Sequence, residues 1–271
     1  MLNSVESIAN CTFPFLITGL FYLVPNIVWA EEEGKNQYFY PIFMMDVYSK
    51  ALADFYSGKT EDGLWLNTSY GDPEEMPLWY FFRSYEEMPD LEKMALSVCE
   101  GRILDVGAGT GCHSLVLQHF DNEVTAIDTA AHAVSVMKES GLNNVLHQDF
   151  FELENQKFDT LLCLMNGLGF IGKLDRLEAF LNKAEELLSE EGQIILDSSD
   201  ISYLYENAQK PSDRYYGEVS FQYEYKGEKG EWFDWLYLDQ NTLVDKADKL
   251  GWHTYILHQD NDQYLARLIR K

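Results

Sequence analysis

The chain has 271 residues, of which 46% are hydrophobic, and it carries a formal net charge of −25 at pH 7. This hydrophobic fraction excludes a globally disordered chain and is enough for one large domain with a small accessory part. A surface this acidic repels phosphate backbones, so nucleic acid is disfavoured as a partner.

The first part of the chain, residues 1–43, is an apolar extension whose role the sequence leaves open. Residues 11–30 contain no charged residue, and the stretch is long enough for a membrane span. Val28-Trp29-Ala30 resembles a signal-peptidase site, but residues 1–10 contain no Lys or Arg, which export signals carry there. The extension is therefore an export signal or membrane anchor, a segment that packs on the domain, or an addition upstream of the true start. We favour a cytoplasmic protein without membrane contact through this stretch.

Residues 44–98 predict an N-terminal helical cap. Apolar residues at helical spacing indicate a first helix from Asp46 to about Tyr56. Residues 59–80 are rich in aromatic and acidic residues, and we expect them to be irregular. A second predicted helix leads from this segment into the first strand of the main domain.

The segment Gly101–Gly111, GRILDVGAGTG, carries the strongest motif of the chain. Its apolar residues predict a short buried strand, and apolar residues at helical spacing follow the glycines directly. The glycines occupy every second position, at Gly107, Gly109 and Gly111. Glycine lets the backbone approach a ligand, and a helix N-terminus offers free N–H groups, so this turn predicts a ligand-binding cradle.

The spacing of these glycines distinguishes between ligands. Dinucleotide-binding turns follow G-x-G-x-x-G, whereas this chain has G-x-G-x-G with Asp105 two residues before the first glycine. The segment Asp105–Gly111 resembles motif I, D/E-x-G-x-G-x-G, of the class I S-adenosylmethionine (SAM) dependent methyltransferases. The resemblance extends over roughly residues 90–271. It implies that SAM is the cofactor and that it is bound by Asp105, Gly107, Ala108, Gly109, Thr110 and Gly111.

The resemblance implies further cofactor contacts at the ends of later predicted strands. Asp128 ends the second strand, where an acid can accept hydrogen bonds from both ribose hydroxyls, and Thr129 adjoins it. Asp149 and Phe150 follow the third strand, where the family bonds the adenine amino group and packs an apolar side chain on the ring. Asn166 follows the fourth strand, where its carbonyl oxygen is available to the cofactor or the substrate. The N-P-P-Y sequence of adenine amino-methyltransferases is absent there, so base methylation is disfavoured.

The order of the predicted elements defines the fold class. Strands and helices alternate from residue 99 onwards, which predicts a parallel sheet with right-handed crossovers. We expect an inserted, aromatic-rich hairpin at about residues 215–238 and an antiparallel hairpin at the C-terminus. The prediction is an α/β fold with a doubly wound, mostly parallel seven-stranded sheet of the Rossmann-like methyltransferase type. Residues 99–271 are predicted to form the SAM-binding domain. Asp197 and Asp200, after the fifth strand, are expected to cap a helix, with binding of a basic acceptor as the alternative.

No motif spacing identifies a general base in this sequence. The four cysteines form no C-x-x-C pair, so the sequence supports no metal site either. Much of the rate of methyl transfer can come from proximity and orientation, and a general base helps where the acceptor is a hydroxyl or an ammonium group. The candidate catalytic residues are Tyr80, Tyr85, His113 and Asn166.

Aromatic and basic residues supply the candidates for substrate binding. Arg83 is the one base in a run of aromatic and acidic residues. It forms either a surface ion pair with Glu86 or Glu87, or a clamp for the carboxylate of SAM or of a substrate. The other candidates are Phe170, Tyr223 and Trp232.

The sequence thus predicts a small-molecule methyltransferase of the bacterial type, in which an O, N or C nucleophile takes the methyl group by direct in-line displacement. Two alternatives stay open. The first is a nicotinamide-dependent oxidoreductase on the same fold, which the glycine spacing and Asp105 disfavour. The second is a non-enzymatic module that binds SAM or a protein partner. The sequence indicates no oligomeric state.

Overall fold

A computed structural model describes residues 46–59 and 62–271 of the chain. The α-helices of this part are Val47–Tyr56 (α1), Asp90–Ser97 (α2), Cys112–His119 (α3), Ala131–Glu139 (α4), Leu177–Leu187 (α5) and Gln240–Lys249 (α6). The strands before α5 are Leu64–Thr68 (β1), Glu74–Met76 (β2), Arg102–Val106 (β3), Glu123–Asp128 (β4), Val145–His147 (β5) and Phe158–Cys163 (β6). The strands after it are Leu188–Ser199 (β7), Glu218–Tyr225 (β8), Glu228–Lys229 (β9), Phe233–Leu236 (β10), Trp252–Asp260 (β11) and Gln263–Arg270 (β12).

The main sheet has seven strands in the order β11-β12-β7-β6-β3-β4-β5. Strands β3 to β7 run parallel, β12 pairs antiparallel with β7, and β11 pairs antiparallel with β12. This arrangement confirms the predicted Rossmann-like fold with its antiparallel C-terminal hairpin. The strand order reverses at β3, which lies between β4 and β6, and ligands of open α/β sheets bind at the carboxyl ends of the strands at such a point.

The centre of the main sheet is apolar on both faces, as expected of parallel strands covered by helices. Leu104 of β3 pairs with Leu161 of β6, and both side chains are fully buried. Helix α5 covers one face with the apolar positions of its helical repeat, and these residues are Leu177, Phe180, Leu181, Ala184 and Leu187. The carboxyl end of β3 is therefore held in the middle of a sheet whose two faces are covered.

A second, antiparallel sheet has the strand order β10-β8-β1-β2, with β9 paired to β8. Strands β8, β9 and β10 form the predicted inserted hairpin. Strand β1 pairs along β8, with Leu66 opposite Tyr223. The expectation that residues 59–80 are irregular is wrong, because β1 and β2 lie in this segment. Their partner β8 is far along the chain, and the short strands carry no clear alternation of apolar and polar residues to reveal them.

Helix α1 connects the second sheet with the main domain. Its buried side chains include Ala51 and Leu52, which pack with Leu64 of β1 and Ala133 of α4. In residues 46–59 and 62–271, no helix is long and apolar enough to cross a membrane. The predictions for residues 1–43 lie outside the described residues, and the proposed boundary between cap and domain near residue 99 stays a prediction.

Candidate functional site

The glycine turn after β3 has backbone angles that favour glycine. Gly107 and Gly109 have φ angles of 68° and 58°, and Gly111 precedes α3 with a φ of 80°. These values lie in the left-handed region, where a side chain costs free energy. A Cβ atom built on Gly107 would meet no atom within 4 Å. The main chain at this position therefore borders open space at the end of the sheet.

This space is a cavity of about 270 Å³ at the switch point of the sheet, here called the glycine-turn cavity. The structure brings ten of the predicted site residues to its wall, namely Asp105, Gly107, Ala108, Gly109, Thr110, His113, Asp128, Thr129, Phe170 and Tyr223. Sequence reasoning missed others that come from outside the motif, and these include Tyr48, Met76, Phe81, Met165 and Trp235. Helix α1, β2 and the inserted hairpin therefore close a cavity that the main sheet opens.

Asp128, at the end of β4, spans the glycine turn. Its Oδ2 atom accepts a hydrogen bond of 2.8 Å from the Gly109 N–H, and its Oδ1 atom accepts one of 2.7 Å from the Ala130 N–H. Burial raises the pKa of Asp128, and these two backbone hydrogen bonds act against the rise. A carboxylate has about four acceptor positions, so each oxygen can also accept from a ligand hydroxyl. This geometry fits the ribose of a nucleoside.

Asp105 lies at the bottom of the same cavity. The Ser114 hydroxyl donates a hydrogen bond of 2.7 Å to its Oδ2 atom. Burial raises the pKa of Asp105, while the charge of His113 and the hydrogen bonds from Ser114 lower it. A cationic ligand group beside this carboxylate would favour its ionised form further.

Arg83, Glu92 and His113 form a buried cluster of charges between the N-terminal segment and α3. The Nη2 atom of Arg83 donates to both carboxylate oxygens of Glu92, at 2.9 and 3.0 Å, and Nε2 of His113 lies 2.8 Å from Oε2. The three residues are 4%, 5% and 4% exposed. The alternative of a surface ion pair between Arg83 and Glu86 or Glu87 is therefore wrong, because Arg83 points inwards to Glu92.

The charges in this cluster stabilise one another. Burial alone would raise the pKa of Glu92, but His113 and Arg83 outweigh it and the pKa is lowered. Burial alone would lower the pKa of His113, but Cys112, Glu92 and Asp105 outweigh it and the pKa is raised well above its usual value. Sequence reasoning missed Glu92. A signal was present, because Glu92 shares the buried face of α2 with Leu96, four residues later.

A second cavity, of about 360 Å³, adjoins the first and is here called the aromatic cavity. The two cavities share the wall residues Met76, Met165, Tyr223 and Trp235. Six aromatic side chains line the aromatic cavity, namely Tyr80, Phe221, Tyr223, Phe233, Trp235 and Tyr237. Alternate positions of β8 and of the segment from β10 onwards face it, which is the period of a strand.

The same period corrects one predicted substrate contact. Trp232 precedes β10, its side chain is 52% exposed, and it lines neither cavity. Trp235, rather than Trp232, lines both cavities. A Cβ atom built on Gly169 would lie only 1.8 Å from Cε2 of Trp235, so the indole ring lies directly on the Gly169 backbone. The alternation of Phe233, Trp235 and Tyr237 was the signal that identifies the inward face.

Several predicted residues lie elsewhere. Tyr80 and Asn166 line the aromatic cavity, while Tyr85 lines a separate groove beside α3. Asp149 is exposed and accepts a hydrogen bond from the Phe151 N–H. Phe150 is buried among other aromatic rings of the core. Neither of these two lines the glycine-turn cavity, so their adenine contacts stay predictions.

Asp197 supports the floor of the aromatic cavity from within β7. Its Oδ1 atom accepts a hydrogen bond of 2.9 Å from the Asn166 N–H, and its Oδ2 atom accepts one of 2.8 Å from Nε2 of Gln263. The Ser199 hydroxyl donates to Oδ1 of Asn166 at 2.9 Å. Burial raises the pKa of Asp197 from 3.8 to about 6. The expectation that Asp197 caps a helix is wrong, because the residue lies inside a strand, where it holds the Asn166 main chain and the Gln263 side chain.

Comparisons with known proteins agree with this geometry. A family model described as a methyltransferase domain matches residues 99–242. The crystal structure of a SAM-dependent methyltransferase from Bacteroides fragilis, in complex with S-adenosyl-L-homocysteine, is 40% identical with a TM-score of 0.77. The match covers 83% of this chain and 95% of the Bacteroides fragilis chain.

Two more distant proteins are also similar. An uncharacterised methyltransferase of Staphylococcus carnosus (strain TM300) is 25% identical over 190 residues, which are 69% of this chain and 86% of that protein. The CcbJ methyltransferase of Streptomyces caelestis is 15% identical with a TM-score of 0.56, covering 69% of this chain and 94% of that one, which shows the fold alone.

Proposed function

Because the chain belongs to the SAM-dependent methyltransferases, we propose that it transfers a methyl group to a small-molecule acceptor held in the aromatic cavity. The observation that carries this proposal is the shared wall of the two cavities. Met76, Met165, Tyr223 and Trp235 line both. A cofactor in the glycine-turn cavity and an acceptor in the aromatic cavity therefore meet at these four side chains.

The residues of the glycine-turn cavity fit SAM. The glycine main chain at Gly107 and Gly109 admits close approach, and Asp128 offers acceptor positions for the ribose hydroxyls. Asp105 supplies negative charge for the methionine ammonium group, and His113 supplies positive charge beside it. When bound, SAM supplies a methyl group on a positively charged sulfur, which an acceptor nucleophile takes by in-line displacement.

The chain contributes binding, orientation and exclusion of water. Apolar and aromatic walls surround the junction of the two cavities, so a bound acceptor is desolvated and held at a fixed position. Positioning alone can lower the barrier of a two-substrate reaction by about 7–11 kcal/mol when the reacting atoms are well aligned. The acidic surface, at a net charge of −25, supports a small molecule over nucleic acid as the acceptor.

The test begins with the cofactor. We expect calorimetric titration of the purified chain to show binding of S-adenosylhomocysteine and no binding of NAD. Incubation with methyl-labelled SAM and a mixture of small acceptors then tests transfer of the label. Binding of NAD alone would support the nicotinamide-dependent oxidoreductase. Binding of S-adenosylhomocysteine without transfer to any acceptor would support the non-enzymatic module.

A further inference from the structure

The rings of the aromatic cavity are arranged to hold another flat ring. Tyr223 packs against Tyr48 and Phe233, with ring centroids 4.9 and 5.0 Å away and interplanar angles of 20° and 31°. The stacked Tyr48 ring thus occupies one face of Tyr223, which leaves its edge available to a ligand in the cavity that it lines. Phe233 and Trp235 meet at 80°, so their planes also differ.

Ring edges select for aromatic ligands. The edge of an aromatic ring carries partial positive charge, and the face carries partial negative charge. An edge therefore attracts the face of a second ring and repels a cation. A saturated apolar molecule gains only the burial of its surface, whereas an aromatic molecule also gains these edge-to-face contacts. The cavity volume of about 360 Å³ lies at the lower end of the range of small-molecule sites, which suits one or two fused rings.

Among the described residues that line the aromatic cavity, no carboxylate or histidine is free to act as a general base. Glu92 is the one carboxylate in that wall, which contains no histidine or lysine. Glu92 is already hydrogen-bonded to Arg83 and His113, and these partners hold its pKa down. Burial raises the pKa of Tyr223, and it raises the pKa of Tyr237 to about 12, so these two phenols stay protonated at neutral pH. The described wall residues therefore suit an acceptor whose lone pair needs no deprotonation before the methyl group is transferred.

Gln263 offers a partner for an N–H donor. Its Nε2 atom donates to Asp197, and this orientation leaves the Oε1 atom as an acceptor. The side chain lines the aromatic cavity. Three features of a ligand would match this wall. An aromatic body would contact the ring edges, a neutral lone pair would need no base, and an N–H group would donate to the Gln263 amide oxygen.

We propose that the acceptor is a small aromatic amine, which the protein methylates on nitrogen. This inference rests on the proposed function and names its substrate class. The nitrogen lone pair forms the new C–N bond, and the electrons of the broken S–C bond remain on sulfur as a thioether. The methylated nitrogen then carries the positive charge and releases its proton to water. An alcohol or phenol would have to lose its proton, and the described residues of the cavity wall offer no free carboxylate or histidine to take it.

The test compares matched pairs of acceptors. The pairs are aniline with phenol, aminonaphthalene with naphthol, and cyclohexylamine with cyclohexanol, each incubated with the full chain and methyl-labelled SAM. A general base contributes about 100-fold or more to such reactions, so we expect the aromatic amines to exceed the matched phenols by at least that factor. The saturated pair is expected to give no product. Faster methylation of the phenols, or of cyclohexylamine, would overturn the proposal.

A binding measurement separates this inference from the proposed function. Aminonaphthalene is titrated into the protein saturated with S-adenosylhomocysteine, and its affinity is followed by calorimetry. We expect Trp235→Ala to weaken this affinity about tenfold, because one wall ring is lost. Trp232→Ala, which removes the same side chain outside the cavities, is expected to change nothing. Trp235→Phe keeps a ring and should recover most of the affinity, which distinguishes a lost contact from a folding defect.

The possible failures are distinct. If S-adenosylhomocysteine does not bind the unmodified chain, the proposed function is wrong. If it binds, but the aromatic amines neither bind nor become methylated, the proposed function stands and the substrate class is wrong. Equal losses of aminonaphthalene affinity in Trp235→Ala and Trp232→Ala would also contradict the assignment of the aromatic cavity as the acceptor site.

Discussion

The two sheets of this protein differ in how their strands find their partners. In the main sheet, β3, β4 and β5 are neighbours in sequence and in space. Helix α3 joins β3 to β4, and helix α4 joins β4 to β5. In the second sheet, β1 pairs with β8, which follows most of the main domain. The main sheet carries the glycine turn and Asp128, whereas the second sheet carries the rings of the aromatic cavity.

This difference separates two functions. The proposed cofactor contacts come from strand ends and turns whose geometry the backbone of the main sheet defines. The proposed acceptor contacts are side chains on the face of a separate antiparallel sheet. Exchange of such side chains changes the shape of the aromatic cavity without moving the glycine turn. We therefore expect substitutions in the second sheet to alter acceptor choice more than cofactor affinity.

The largest expected effect comes from breaking the charged cluster that joins the regions. Glu92→Ala leaves Arg83 and His113 as buried cations without their shared carboxylate. Removal of one partner from a buried ion pair costs about 3–5 kcal/mol. We expect a loss of this size in the free energy of unfolding, measured with urea. Glu86→Ala, at an exposed position, is the control and should lie within about 0.5 kcal/mol of the wild type.

The next effect concerns the floor of the aromatic cavity. The pKa of Asp197 is about 6 in the folded protein and 3.8 as its ordinary value. Between these values the folded state binds the proton more tightly than the unfolded state, so the free energy of unfolding falls as the pH rises from about 4 to about 7. The loss is about 3 kcal/mol at roughly 1.4 kcal/mol for each pKa unit.

Asp197→Asn removes this titration and keeps an oxygen to accept from the Asn166 N–H. The measurement is the difference in unfolding free energy between the wild type and this variant across that pH range. We expect the wild type to lose stability relative to the variant as the pH rises. Asp175→Asn, on the exposed surface, is the control and is measured across the same pH range. A difference for Asp197→Asn that does not vary with pH would contradict the raised pKa.

A smaller effect tests the main-sheet side of the comparison. Asp128→Ala removes the acceptors proposed for the two ribose hydroxyls, and each lost hydrogen bond costs about 0.5–1.5 kcal/mol net. We expect the affinity for S-adenosylhomocysteine to fall by about 1–3 kcal/mol in calorimetric titration. Asp175→Ala is the matched control and should bind as the wild type does. Unchanged affinity in Asp128→Ala would remove this placement of the cofactor.

The same contrast explains what the sequence could reveal. The glycine turn, Asp128 and the order of β3 to β7 follow from local patterns, since a short apolar run, a glycine and a helix start lie next to one another. The pairing of β1 with β8 and the contact of Trp235 with Gly169 depend on segments far apart in the chain. No local period encodes such pairings. Of the two hairpin residues that the sequence predicts as substrate contacts, Tyr223 lines both cavities, whereas Trp232 lines neither.

Glu92 illustrates a second limit. A charged residue on the buried face of a short helix is readable from the helical repeat, but its partners are not. The sequence suggests Glu86 and Glu87 as partners of Arg83, and it suggests no partner for His113. Only the packing of α2 against α3 brings the three together. Tertiary contacts, rather than spacing, decide which charges are paired.

The smallest expected effect lies at the start of α1, the helix that joins the regions. The Asp46 side chain accepts a hydrogen bond of 2.7 Å from the Ser49 N–H and so caps the helix. Loss of such a cap costs about 1 kcal/mol. Asp46→Ala should lower the free energy of unfolding in urea by this amount, while Asp46→Asn keeps the cap and should be nearly neutral.

Helix α1 also carries Tyr48, which stacks on Tyr223. If the second sheet acts as a separate wall, Asp46→Ala should weaken binding of aminonaphthalene more than binding of S-adenosylhomocysteine, and equal losses would show that the two cavities are held by one common element.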